Sequence, residues 1–313
     1  MLIGYAERVE SSEADIIACP PDRRVEALSL VLCDIAPSQR REVAGALWGG
    51  SDASSAPGEG LFIACRGGHL CGAVWGQRQP GNTAILWPPQ ILPSEGESTA
   101  LGLAQIAVRH LDRAGIAISQ VLLPAQDTQA TRLLTSVGFV HLADLLYLTC
   151  EAERFAANPL NRPTLRFLTY DPSQRDRLMR LIERTYEGTL DCPRLNGIRR
   201  MEDVLDGYQA TGVFRNENWL IFVDGAQDVG VLLLADHPSA GHWELVYMGL
   251  VPEARGRRWG RQITQHAQSL ARRAHVERIV LAVDAANEPA VALYRDSGFE
   301  AWDRRSVHVR FCR

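Results

Sequence analysis

Trp243-Glu244-Leu245-Val246-Tyr247-Met248-Gly249-Leu250-Val251-Pro252-Glu253-Ala254-Arg255-Gly256-Arg257-Arg258-Trp259-Gly260-Arg261 is the stretch whose reading decides the fold. Residues 242–251 form an apolar run stopped by Pro252, which has no N–H to give a sheet ladder. A turn rich in glycine and arginine follows, and residues 257–273 then show the apolar spacing of an amphipathic helix. The first N–H groups of a helix have no acceptor within it and sit at its positive end, so a turn of this kind cradles a pyrophosphate. Arginines add charge-assisted hydrogen bonds. Taken alone, Arg255, Arg257 and Arg258 read as a solvated helix face. Between Val251-Pro252 and Gly260 they read as part of the cradle. Downstream come a second apolar strand, 278–283, then Asn287, Pro289, Leu293-Tyr294 and Gly298-Phe299.

This order of fragments resembles the GNAT N-acetyltransferase superfamily. The family signature places an Arg or Gln three residues after a strand-ending proline, then a Gly three positions on and a Gly or Ala two further. Here Arg255 takes the first position and Gly260 the last, while Arg258 stands where the family usually has glycine. The family's Asn on the loop after the next strand, and its Tyr seven residues later, match Asn287 and Tyr294. The resemblance implies an α/β (α+β) fold with a central mixed, mostly antiparallel sheet flanked by helices, whose central strands splay at the acyl site. It implies acetyl-CoA as co-substrate, its pyrophosphate on Arg255, Gly256, Arg257, Arg258, Trp259, Gly260 and Arg261. The pantetheine arm and thioester carbonyl would lie on the backbone of Met248, Gly249, Leu250 and Val251, like an added strand. Asn287 caps the following helix or binds that arm.

Two residues are candidates for proton transfer. Tyr294 stands at the family's general-acid position, and the same residue also reads as a core aromatic. Glu244, six residues before Leu250, is the candidate base; its alternative is a solvent-facing glutamate at a sheet edge, and His242 is a weaker base. The loop 185–197 walls the acceptor pocket in this fold, with Tyr186, Asp191, Arg194 and Asn196 as candidate substrate-binding residues. Cys192 lies in that loop without an adjacent base, so it reads as an ordinary thiol.

The two halves read as copies of one unit. Gly138-Phe139 repeats Gly298-Phe299 at an offset of 160, and the strand 118–123 repeats 278–283. Upstream the offset becomes 158, pairing 61–65 with 219–223 and Gly72 with Gly230. The differences carry the function: Arg255 pairs with Glu95, Arg257 with Glu97, Tyr294 with Leu134 and Asn287 with Asp127. Carboxylates repel a pyrophosphate and leucine donates no proton, so the first copy reads as having lost acyl-CoA binding. Glu95 and Glu97 are expected to be solvated turn residues, with a bound cation as the alternative.

The expected division is 1–150 for a degenerate copy, 151–163 for a linker broken by Pro159 and Pro163, and 164–313 for a catalytic copy. In the first copy, 22–33 and 38–48 read as helices and 49–60 as a loop. The chain has 313 residues, 46% hydrophobic and 22% charged, with net charge −4, a balance that argues against nucleic-acid binding. All 33 basic residues are arginine, so the protein has no lysine of its own to acetylate. Seven cysteines without a C-x-x-C pair suit reduced thiols in the cytoplasm. The eight histidines show no metal-ligand spacing, so no metal is expected, and no apolar run is long enough to span a membrane. The expectation is therefore a cytoplasmic N-acetyltransferase acting on a small-molecule amine by direct attack in a ternary complex. The alternatives are a non-catalytic acyl-CoA sensor or scaffold and a transferase for longer acyl chains.

Overall fold

The computed structural model describes residues 13–33, 58–156 and 165–311; the expected helix 38–48, most of the loop 49–60 and most of the linker lie outside them. The first half runs β1 (Asp15–Ala18), α1 (Arg24–Val31), β2 (Leu61–Arg66), β3 (His69–Gln79), β4 (Thr83–Ile91), α2 (Glu97–Arg113), β5 (Ile118–Pro124), α3 (Thr128–Ser136) and β6 (Val140–Glu151). The second runs β7 (Arg166–Thr169), α4 (Arg175–Tyr186), α5 (Met201–Gln209), β8 (Trp219–Asp224), β9 (Gln227–His237), β10 (His242–Leu250), α6 (Trp259–Arg273), β11 (Arg278–Asp284), α7 (Glu288–Asp296) and β12 (Glu300–Phe311). The four-residue edge strand β1 is an addition to the sequence reading, too short to show alternation.

The repeat is carried through to packing. Strand starts are offset by 158 at β2 and β8, 159 at β4 and β10, and 160 at β5 and β11. β3 and β9 bury the same seven consecutive positions, and β4 and β10 also share one burial pattern. Even the bulge between Ala64 and Cys65 recurs between Phe222 and Val223.

All strands join one mixed sheet in the order β1-β2-β3-β4-β5-β12-β6-β11-β10-β9-β8-β7. Among the described residues, only β4–β5 and β10–β11 are parallel. The halves exchange their last strands. β6 pairs along β11 from Arg278↔Glu151 to Asp284↔Leu145, and β12 pairs along β5 from Phe311↔Ile118 to Arg305↔Pro124. β6 and β12 also pair with each other at the centre. Leu148, Cys150 and Phe155 of the first half consequently belong to the main core of the second. Each half supplies the strand that closes its neighbour's sheet, which leaves no exposed ladder edge between them. No helix among the described residues is long and apolar enough to cross a membrane.

Candidate active site

The cleft in the second half begins where two parallel strands part. β10 pairs with β11 only over His242–Glu244, while its pairing with β9 continues to Leu250. A bulge at Val246 accompanies the divergence. From Leu245 to Leu250, the backbone groups aimed toward β11 have no strand to pair with, so β10 presents a free edge there.

The edge leads into the expected cradle. Gly256 and Arg258 both adopt left-handed backbone, at φ 76° and 59°. Among the described residues, the N–H groups of Gly256, Arg257, Arg258, Trp259 and Gly260 donate no backbone hydrogen bond. Arg258 occupies a conformation that glycine takes without cost, so the family's usual residue suits the slot. Arg257 lies with its guanidinium 4.9 Å from the centroid of the Trp259 ring and 3.5 Å from Asp224. Gly260 is small because a Cβ there would come within 2.9 Å of Leu293.

Arg255 departs from its expected part. Its guanidinium donates to three carbonyls, Leu250 at 3.1 Å, Gly188 at 3.0 Å and Thr185 at 2.9 Å. The side chain ties the end of β10 to the end of α4 and shapes the turn, leaving the cradle to backbone N–H groups.

Tyr294 is 5% exposed, packs edge-on against Phe299 at 5.5 Å, and makes no side-chain hydrogen bond among the described residues. Burial, with a smaller push from Asp191, raises its phenol well above the ordinary value, so it keeps its proton. Asn287 caps α7, its Oδ1 accepting from the Ala290 N–H at 3.3 Å. Glu244 is half-buried at the last paired position of β10, 3.1 Å from Nε2 of His237, whose ring stacks on His242. Burial lowers the His242 pKa, which keeps that imidazole neutral.

The loop between α4 and α5 is held in place at several points. Asp191 accepts from the Asp284 N–H at 3.0 Å, and Asp284 accepts from the Cys192 N–H at 3.2 Å. Burial raises the Asp191 pKa, and burial with both carboxylates pushes the Cys192 thiol up to about 12, so Cys192 is inert. Arg194 donates to the His141 carbonyl of the first half at 2.7 Å, and Asn196 donates to the Tyr186 carbonyl at 3.1 Å. Tyr186 joins a cluster that sequence reasoning missed. Its hydroxyl is 2.8 Å from that of Tyr208, which stacks on Tyr247 at 5.4 Å. Thr185 gives its own proton to the Ile182 carbonyl, so the Tyr247 hydroxyl, 2.6 Å away, donates to Thr185. A Cβ on Gly249 would sit 2.7 Å from both hydroxyl oxygens. Among the described residues, no group of three His, Cys, Asp or Glu side chains gathers as a metal site.

The corresponding cleft in the first half is built differently. β4 leaves β5 after Ile85, as β10 leaves β11 after Glu244. Glu95 is not a solvated turn residue: its side chain is 4% exposed and takes two hydrogen bonds from Arg66, at 3.0 and 2.8 Å, and one from Thr99 at 3.0 Å. The cation that this carboxylate binds comes from its own chain. Arg66 foremost, then Thr99, holds the Glu95 pKa down at about 2.

Comparison with known proteins agrees with this geometry. Residues 181–299 match the acetyltransferase (GNAT) family. A mycothiol acetyltransferase of Beutenbergia cavernae is 36% identical over 81 residues, 26% of this chain and 27% of that protein. One from an Arthrobacter species is 39% identical over 67 residues, 21% of this chain and 20% of that protein. The chain thus matches about a quarter of the length of these relatives. A GCN5-related N-acetyltransferase from Sphaerobacter thermophilus shares the fold with a TM-score of 0.68 at 18% identity, covering 97% of both chains. A tandem GNAT protein from the clavulanic acid biosynthesis pathway does so with a TM-score of 0.55 at 15% identity, over 96% of this chain and 99% of that one. The family match therefore falls on the half of the chain that holds the parting of β10 from β11 and the turn that follows.

Proposed function

We propose that the second half transfers an acetyl group from acetyl-CoA to the amine of a small molecule, by direct attack in a ternary complex. The observation that carries this reading is the free edge of β10 running into the unpaired N–H groups of residues 256–260. Those groups bind the pyrophosphate, with Arg257, Arg258 and Arg261 adding charge at the mouth. The backbone of Met248, Gly249 and Leu250 takes the pantetheine amides as a partner strand and holds the thioester oxygen, while Val251, whose N–H donates to the Val229 carbonyl at 3.0 Å, ends that edge. Glu244, directly or through water, accepts the ammonium proton of the acceptor, which frees its lone pair for attack. Tyr294, kept protonated by burial, gives its proton to the departing thiolate. Asn287 serves by capping α7 and so fixing the turn from which Tyr294 projects. Tyr186 and Asp191 wall the acceptor side, while Arg194 and Asn196 hold that wall in position. The relatives named mycothiol acetyltransferase support a small metabolite as acceptor, and a cytoplasmic setting fits a donor made inside cells.

We further take residues 1–150 as a copy without its own acyl transfer and 164–313 as the acting copy, joined through 151–163. The test is thiol release from acetyl-CoA across a panel of small amines, with Tyr294→Phe beside the parent protein. Turnover with at least one amine is expected, falling about a hundredfold in the variant. Acetyl-CoA binding without turnover on any amine would favour a sensor instead.

A further inference from the structure

We propose that Tyr147 and Trp302 form a platform for the ring of a ring-bearing amine acceptor, so that a strand of the first half helps select the substrate of the second. This rests on the acetyltransferase reading above and names its acceptor class.

The strand exchange places both rings. Register carries the face of Glu244 across the sheet: Glu244 lies opposite Val280, and Val280 opposite Thr149. Two residues along the same face, Ala282 lies opposite Tyr147, and Tyr147 opposite Asp303. Because β10 has already left β11, Ala282 is uncovered and exposed, a small floor between Glu244 and Tyr147. Burial foremost raises the Tyr147 phenol, and Arg305, Asp303 and Glu244 are the charged groups that act on it.

Trp302 completes the platform. It is the extra residue of a bulge between Ala301 and Asp303, a device that re-aims a side chain. Its ring lies 5.7 Å from that of Tyr147 at 59°. The indole is 62% exposed, whereas Trp75, Trp219, Trp243 and Trp259 are all buried. Tyr147 is half-buried beneath it, so one ring is supported and the other is open. Beyond the floor stands Glu244, a carboxylate suited to an ammonium. The space thus offers a flat aromatic surface at one end and an anion beside the acyl cleft at the other. A linear alkylamine covers little of that surface, whereas a ring stacks on it through its CH or π face.

The experiment uses the full chain and three amines: glucosamine for a sugar ring, tyramine for an aromatic ring, and n-butylamine as the linear control. We expect Trp302→Ala to raise KM about tenfold for the better of the two ring-bearing amines, the size of one lost stacking contact. KM for acetyl-CoA and for butylamine stays within twofold, Trp302→Phe recovers most of the loss, and Tyr147→Leu follows the alanine variant. Glucosamine and tyramine together show whether the ring is saturated or aromatic. An unchanged KM for both ring-bearing amines, an equal rise for all three amines, or a parent protein that uses only butylamine would each overturn the platform while leaving acetyl transfer standing. No turnover of any amine by the parent protein would overturn the acetyltransferase reading and the platform with it.

Discussion

The two clefts of this chain start from the same backbone and end in opposite chemistry. In each, a strand pairs with its parallel neighbour over three residues and then departs, Thr83–Ile85 in one and His242–Glu244 in the other. Five and six residues beyond the first of these pairs, the second cleft has Tyr247 and Met248, whereas the first has Pro88 and Pro89. Proline carries no N–H, so the free edge of β4 lacks donors at two positions where that of β10 has them. At the helix start, Glu95 replaces Arg255, and its carboxylate is taken up by the side chains of Arg66 and Thr99. Leu134 replaces Tyr294. What survives is a cavity of about 540 Å³, lined by Trp87, Pro88, Pro89, Leu122 and Leu133 and reached by Arg305 from the exchanged strand. Two clefts can therefore share one backbone plan while differing in the donors that line them. Packing sets the shape of both clefts, whereas in the proposed reading a few unpaired N–H groups of the second would set its affinity for a thioester nucleotide.

Equivalent positions in the two clefts give the sharpest test. Gly249 and Gln90 occupy the same place in their strands, opposite Val231 and Ala73. Gly249→Ala sets a Cβ 2.7 Å from the Thr185 and Tyr247 hydroxyl oxygens, so the strand edge must shift. We expect kcat/KM for acetyl transfer to fall about tenfold or more, since small displacements of a positioning backbone are costly. Gln90→Ala should leave kcat/KM within twofold. A larger effect at Gln90 than at Gly249 would reverse the assignment of the two clefts.

A smaller effect follows from Arg258. Its φ of 59° costs a side chain about 1–2 kcal/mol, more than the 0.5–1 kcal/mol of extra unfolded freedom that glycine brings. Arg258→Gly should raise the thermal midpoint by a few degrees, while acetyl-CoA binding measured by calorimetry weakens only a few fold, the share of one of three charges at the turn. A lowered midpoint would show that the arginine makes compensating contacts.

The smallest effect belongs to the first cleft and to acid. The Glu95 pKa is lowered from 4.5 to about 2, so its pairing with Arg66 stabilises the folded state above pH 4.5. That contribution is lost as pH falls through 2. Glu95→Gln should lower the midpoint at neutral pH and make its decline between pH 4.5 and 2 shallower. An identical acid limb in both proteins would show that the pair adds nothing to stability.

Much of this was legible because it is local. The Val251-Pro252 stop and the Gly256 to Gly260 turn lie within ten residues of each other, and strand-to-helix periodicity marks the junction. Other features were hidden because they depend on partners far away in the chain. Arg255 looked like an anion ligand because its three carbonyl acceptors, on Thr185, Gly188 and Leu250, come from separate elements. Glu95 looked solvated because Arg66 lies twenty-nine residues upstream. Tyr208 and Tyr247 carry no spacing signal, since they meet only when α5 packs over β10.

By itself, the sequence determined the repeat, most of the order of its elements and the strand-to-helix turn after Pro252, because period-2 and period-3.6 patterns and turn residues act over a few positions. Alternation also told which face each strand residue takes. It could not tell which strand lies alongside, because pairing is a long-range choice made by competing edges. Only the tertiary structure exchanged β6 and β12 and so set Tyr147 of one half on the same face of the sheet as Glu244 of the other.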